Sequence, residues 1–246
     1  MPAHRPPSAR AAALALCVFL CTGCGVRAER ISSPRAKPFP IVLPAAPGAQ
    51  EAVLYYTAAE RLAEPGGLQP MLRSAPSGAQ ALAELSAGRA KMAVALQSEV
   101  LAARDRGTAI VGVAALDQRS TDAPVLVVRA REAELDAEDI RAFLQALVSG
   151  DAAVRSNPSA AAALLAQAQP KLLPARPLRV RTRARAQLVG EVALLATPPA
   201  GEPYGYQDPA GWSSLAQAMF EHGQLRTDPT TLAPPYTNEF LPGQGV

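Results

Sequence analysis

The chain has 246 residues, 49% of them hydrophobic and 18% charged, which excludes an intrinsically disordered polymer and leaves ample apolar material for a folded core. The net charge is +3, part of it ahead of Cys24, so nothing calls for nucleic acid as a partner. All three cysteines (Cys17, Cys21, Cys24) lie near the N-terminus, and beyond them the chain carries one histidine, His222; material for a core disulfide, a zinc site or histidine–cysteine catalysis is lacking.

In chain order, the first 24 residues read as an export signal: His4, Arg5 and Arg10 precede an apolar stretch from Ala11 to Cys21, too short to span a bilayer comfortably. The stretch ends in LCTGC, which resembles the bacterial lipobox, with Cys24 as the acylated residue and Cys21 where an aliphatic side chain is usual. Several alkyl chains on Cys24 and its new amino terminus supply a stable anchor where one chain is marginal. Residues 25–39 have no hydrophobic period and read as a tether.

The fold is then expected to begin with a short buried strand, PIVL at 40–43, followed by a helix over about 50–63 that Pro65-Gly66-Gly67 stops. Strands over 68–73, 92–96, 109–116 and 124–129 alternate with helices near 79–88 and 100–106, so the expected class is α/β, a parallel-rich sheet with covering helices. Beyond residue 130 the pattern turns helical. Asp136 is placed as an N-cap, and Ile140, Phe143, Leu144 and Leu147 recur at the helical period. Asn157-Pro158 and Asp208-Pro209 each open a further helix, the second carrying Trp212, Leu215, Ala216, Met219 and Phe220 on one face. The expected division is a signal peptide over 1–24, a tether over 25–39, an α/β lobe over 40–129 and a helical part over 130–246 packing on that lobe.

The segment KMAVALQSEVLAARDRGTAIVGVAALDQR at 91–119, preceded by SGAQALAELSAGR, resembles the first lobe of solute-binding proteins of ABC importers in the sulfonate, nitrate and thiamine-precursor group. Further on, IRAFLQALVSG, the Asn157-Pro158 helix, YGYQDPAGW and YTNEFLPGQG resemble, in the same order, the end of the thiamine-pyrimidine-precursor binders. The resemblance implies a periplasmic-binding-protein-like (type II) first lobe, a small-molecule ligand, an ABC permease as partner, a location outside the cytoplasmic membrane, no cofactor and no enzymatic activity. Relatives that build the pyrimidine themselves carry a cysteine-rich motif and a reactive histidine, and neither is visible here.

Two departures bear on function. Asp117-Gln118-Arg119 passes through Ser120–Pro124 straight into a strand and the late helices, so most of a second lobe's core is expected to be missing. Pro44-Ala45 stands where the family has an aspartate–tryptophan pair, and its asparagine-x-histidine element has no counterpart around Gln50-Glu51. Lys91 replaces a usual aspartate and Leu96 a usual tyrosine, whereas Gln97 and Glu99 remain in place. A shallower site with an altered ligand follows, or a degenerate scaffold that acts through protein contacts.

The candidate ligand-binding residues are Tyr55, Ser77, Gly78, Gln97 and Glu99, with Cys24 for lipidation. Ser77 and Gly78 either present helix N-terminal N–H groups to an anion or simply cap the helix. Gln97 and Glu99 follow a strand's carboxyl end, where ligands bind in open α/β sheets, or form a surface pair opening the next helix. Of Tyr55 and Tyr56 only one can face a cleft. Arg179, Arg181, Arg183 and Arg185 read as a solvated face or as an anion or membrane-surface contact.

Overall fold

The computed structural model describes residues 36–44, 47–173 and 177–244, so the signal segment, Cys24 and most of the tether lie outside the described residues. Five strands, β1 (Lys37–Leu43), β2 (Leu68–Ser74), β3 (Met92–Leu96), β4 (Ile110–Ala115) and β5 (Pro124–Arg129), form one sheet in the order β2-β1-β3-β5-β4. Helices α1 (Ala52–Ala59), α2 (Gly78–Ser86) and α3 (Gln97–Asp105) carry the chain between the first four strands. β1 pairs parallel with β2 and β3, and β5 is antiparallel to both β3 and β4. The reversal has a simple cause. Only residues 116–123 separate β4 from β5, and a parallel return needs a crossover of a dozen residues or more.

Strand periodicity divides the core between two faces. Phe39, Ile41 and Leu43 of β1, Met92 and Val94 of β3, and Leu126 and Val128 of β5 point to one face; Val42, Ala93, Ala95, Val125 and Val127 point to the other. α1, α5 (Ala137–Ser156), α6 (Pro158–Ala168) and α7 (Leu178–Leu195) cover the first face, and α2, α3 and α8 (Pro209–Glu221) the second. Burial on both sides explains why the central strands read as unbroken apolar runs. On α5, Ile140, Phe143, Leu144 and Leu147 are all buried, and Phe143 stacks on Phe39 with ring centroids 5.3 Å apart. A short helix, α4 (Ala130–Leu135), joins β5 to α5. Among the described residues there is no second sheet, and no helix is long and apolar enough to cross a membrane.

The structure corrects several sequence expectations. β1 starts at Lys37, inside the segment read as tether, because its prolines cost no ladder bond there. Lys37 donates its N–H to Gly67 O at 2.9 Å, so the backbone nitrogens of Pro38 and Pro40 lie on the side away from β2, ahead of the residues in register with β3, and Pro40 O still accepts from Lys91 N at 2.9 Å. Asp136 stands at the start of α5 but makes no side-chain cap; its carboxylate accepts instead from Lys91 Nζ at 2.5 Å. Asn157 and Asp208 do cap, accepting from Ala160 N at 3.2 Å and from Ala210 N and Gly211 N at 3.1 Å each. The alternating arginines lie on α7, where a spacing of two scatters them around the exposed part of the helix. The outer edge of β4 is covered by the late segment: Gly112 N donates to Pro235 O at 2.9 Å and Thr237 N to Gly112 O at 2.8 Å.

Candidate functional site

The carboxyl ends of β3 and β4 and the start of β5 converge on one side of the sheet, where open α/β sheets place ligands. α3 begins directly after β3, and its first residue, Gln97, locks the start of β5 in place. Gln97 N donates to Ala123 O at 3.0 Å, and Ala123 N returns a bond to Gln97 Oε1 at 3.1 Å. Next to it, Ser98 gives Asp122 both its N–H (2.9 Å) and its hydroxyl (2.7 Å). The loop between β4 and β5 is thereby pinned to the start of α3 by side chains, without regular structure of its own.

Opposite this loop stands the chain leading into α8. Gln118 Nε2 donates to Pro203 O at 3.3 Å and Tyr206 O at 3.0 Å, and Tyr204, fully buried, donates its hydroxyl to Leu116 O at 3.0 Å. Gln207 Nε2 reaches Gly112 O at 3.1 Å and Thr237 O at 3.2 Å, and Asn238 brackets the Gln207 backbone with bonds of 3.0 Å to its N–H and its carbonyl. Between the two walls lies a cleft of about 840 Å³, within the usual range for small-molecule sites, and its polar lining includes Gln97, Asp117, Gln118, Tyr206, Gln207 and Asp208.

The chemistry of this cleft is that of an acceptor-rich surface. Gln118 Oε1 and Gln207 Oε1 are buried beneath that surface, Gln207 Oε1 against Gly112, and the exposed acceptors are carboxylates. The lining holds two carboxylates, Asp117 and Asp208, and no lysine, arginine or histidine. A ligand offering N–H donors or a positive charge matches it; an anion would face two negative groups with no counter-charge. Among the described residues no cluster of three or more metal-ligating side chains occurs.

The candidate residues fall into three places. Gln97 lines the cleft. Ser77, Gly78 and Glu99 are not part of its lining: Ser77 Oγ caps α2 by accepting from Gln80 N at 3.1 Å, Glu99 Oε2 accepts from Leu96 N at 2.9 Å, and the Glu99 carboxylate fills the space that a Cβ on Gly78 would need. Ser77 and Glu99 thus make capping bonds at the starts of α2 and α3, and Gly78 gives the Glu99 carboxylate room. Tyr55 lies in the helical layer on the other face of the sheet, where its hydroxyl accepts from Gln169 Nε2 at 2.9 Å and burial raises its pKa.

One residue near the site has no counterpart among the sequence candidates. Glu51, 2% exposed, sits past the carboxyl end of β1 and accepts from Gly48 N at 2.6 Å. Burial pushes its carboxyl up from an ordinary 4.5 to about 7, the bond from Gly48 opposes this, and the charge of Asp117 adds a smaller upward push. A glutamate at a helix start reads in sequence as a solvated first-turn acid, and only the tertiary burial distinguishes it.

No family model and no curated protein matches the chain. Solved structures do match. A Candida albicans gene product described as having the generic periplasmic binding protein structural fold aligns with a TM-score of 0.58 at 8% identity, over 79% of this chain and 92% of that one. The periplasmic-binding-protein fold is this chain's fold. The alkanesulfonate-binding protein SsuA from Xanthomonas axonopodis pv. citri, solved with MOPS bound, aligns at TM-score 0.57 and 13% identity over 82% of this chain and 98% of that chain. The ligand-binding component of an ABC-type import system from Staphylococcus aureus, solved with zinc bound, aligns at 0.57 and 10% over 80% and 97%. Within the periplasmic-binding-protein fold, the single five-stranded sheet is that of a first lobe with the second truncated, and the helices after β5 pack on that sheet.

Proposed function

We propose that the protein is a membrane-anchored solute-binding lipoprotein of an ABC importer, tethered outside the cytoplasmic membrane through Cys24 and delivering a small polar solute to a permease. The observation that carries this reading is the cleft at the strand carboxyl ends, lined by Asp117 and Asp208 with no basic side chain, in a chain of periplasmic-binding-protein fold. Of the ligand classes implied by the family resemblance, the acidic lining favours an amine-bearing pyrimidine of thiamine-precursor type over an anion such as a sulfonate. No catalytic step is assigned to it. Isothermal titration of the purified protein against aminopyrimidines and alkanesulfonates tests the reading. Saturable binding of an aminopyrimidine, weakened in Asp117→Asn, supports it, and absence of saturable binding across both classes overturns it. Anchoring is tested separately: Cys24→Ser is expected to abolish labelling by a fatty-acid analogue while Cys17→Ser and Cys21→Ser keep it, and persistent labelling of Cys24→Ser refutes the assignment.

A second reading, a surface lipoprotein that uses the same scaffold for protein contacts without transport, is favoured by the presence of one sheet, which leaves the cleft without a closing lobe. Pull-down from detergent extract separates the two. Recovery of a permease supports transport, and recovery of unrelated envelope proteins alone supports the scaffold.

A further inference from the structure

A second cleft, of about 500 Å³, lies on the opposite side of α8, between that helix, α3 and the segment 229–236. α8 is the partition: Trp212 and Ala216 face this cleft, and Gly211, Leu215 and Ala218 face the one described above. We propose that it is a second small-molecule site, for a monocarboxylate with a flat or extended apolar body. The inference does not rest on the transport reading.

The apolar part of the site is built around Trp212 and Tyr236, whose rings stack with centroids 5.6 Å apart and 12° between planes. Trp212 is only 1% exposed, and its indole N–H has no partner among the described residues. The far wall is held rigid before any ligand arrives. It contains Pro229, Pro234 and Pro235, whose backbone is conformationally restricted, and it is fastened to β4 through the bonds between Gly112, Pro235 and Thr237.

The charge comes from Arg104. Its guanidinium donates to Ile110 O at 2.5 Å and to Ala233 O at 2.9 Å, and it pairs with no carboxylate among the described residues. No aspartate or glutamate lines the cleft. Burial lowers the pKa of Arg104, but a guanidinium does not lose its proton in a protein, so the positive charge persists beside an apolar wall. Two carbonyl bonds hold it in place and leave further N–H donors for an anion. One cation next to a mainly apolar lining matches one negative charge on an apolar body, and the planar guanidinium matches a carboxylate edge. A phosphate dianion would bring a second charge with no partner.

Trp212 is the chain's one tryptophan, so intrinsic fluorescence reads this cleft directly. The full-length protein is titrated with 3-phenylpropionate and, in parallel, with 3-phenylpropionamide, which has the same shape without the charge. The expected result is a saturable fluorescence change with the acid that the amide does not reproduce. Arg104→Gln is expected to weaken the acid about tenfold or more, the loss that accompanies removal of a charge-assisted hydrogen bond. Because Arg104 also ties Ala233 to β4, folding of the variant is checked by circular dichroism. Ser213→Leu, at an exposed position on the cleft wall, narrows the site with Arg104 intact and is expected to abolish the signal. No saturable change with the acid, equal binding of the amide, or unchanged affinity in Ser213→Leu would each overturn the proposal.

Discussion

Glu51→Gln separates the burial of a carboxyl from the ionisation of that carboxyl. In the folded protein the Glu51 pKa lies at about 7 against an ordinary 4.5, chiefly because the group is buried. Below about pH 4.5 it is protonated in both folded and unfolded states, and above about pH 7 it is ionised in both, with the folded state bearing the full cost of a buried charge. Stability from this group is therefore complete at the acid end and falls as pH rises through the window. At roughly 1.4 kcal/mol per tenfold, the loss comes to about 3 kcal/mol. Glutamine keeps an oxygen to accept from Gly48 N and cannot ionise. Glu51→Gln should thus match the wild type near about pH 4 and exceed it by up to about 3 kcal/mol near about pH 8, or about 6–12 °C in Tm for a chain of this size. Asp151, raised to about 6 mainly by burial, adds a slope of the same sign to both proteins and cancels in the comparison. Thermal melts of the pair across this range provide the assay. Parallel pH profiles for wild type and variant would refute the placement of an ionisable group in the core.

Two further substitutions probe the packing. Phe143→Ala removes the α5 ring that stacks on Phe39 and leaves a cavity on the first face of the sheet, an expected loss of about 3–5 kcal/mol by denaturant titration. A loss below about 1 kcal/mol would mean that α5 does not depend on that contact. Gly78→Ala drives a methyl into the Glu99 carboxylate and displaces its bond to Leu96 N, which should cost about 1 kcal/mol, the usual value of a helix cap. The same substitution in a Glu99→Gly background should cost measurably less, and equal costs in both backgrounds would show that the two residues do not meet.

The legible and illegible parts of this protein differ in how far apart in the chain the interacting groups lie. The five strands and the amphipathic α5 are visible in the sequence because their signals are local: alternation or unbroken apolar runs over five to seven residues, and a stripe at Ile140, Phe143, Leu144 and Leu147. α7 is not, because only Leu188 and Val192 on it are buried and its arginines mask the period. The cleft was legible only at Gln97, which follows a strand end. Its other polar groups owe their positions to partners far away in the chain, Gln118 to Tyr206 and Gln207 to Gly112, and such pairings leave no periodicity to read. The same distinction applies to Ser77 and Glu99: each has a local signal, and each makes a capping hydrogen bond within its own turn. The glutamines that line the cleft have no local task of that kind. Their amide nitrogens brace distant backbone, Gln118 at Pro203 and Tyr206 and Gln207 at Gly112 and Thr237. These ties join the two walls of the cleft, so its shape is set by contacts between distant parts of the chain, which only the tertiary structure discloses.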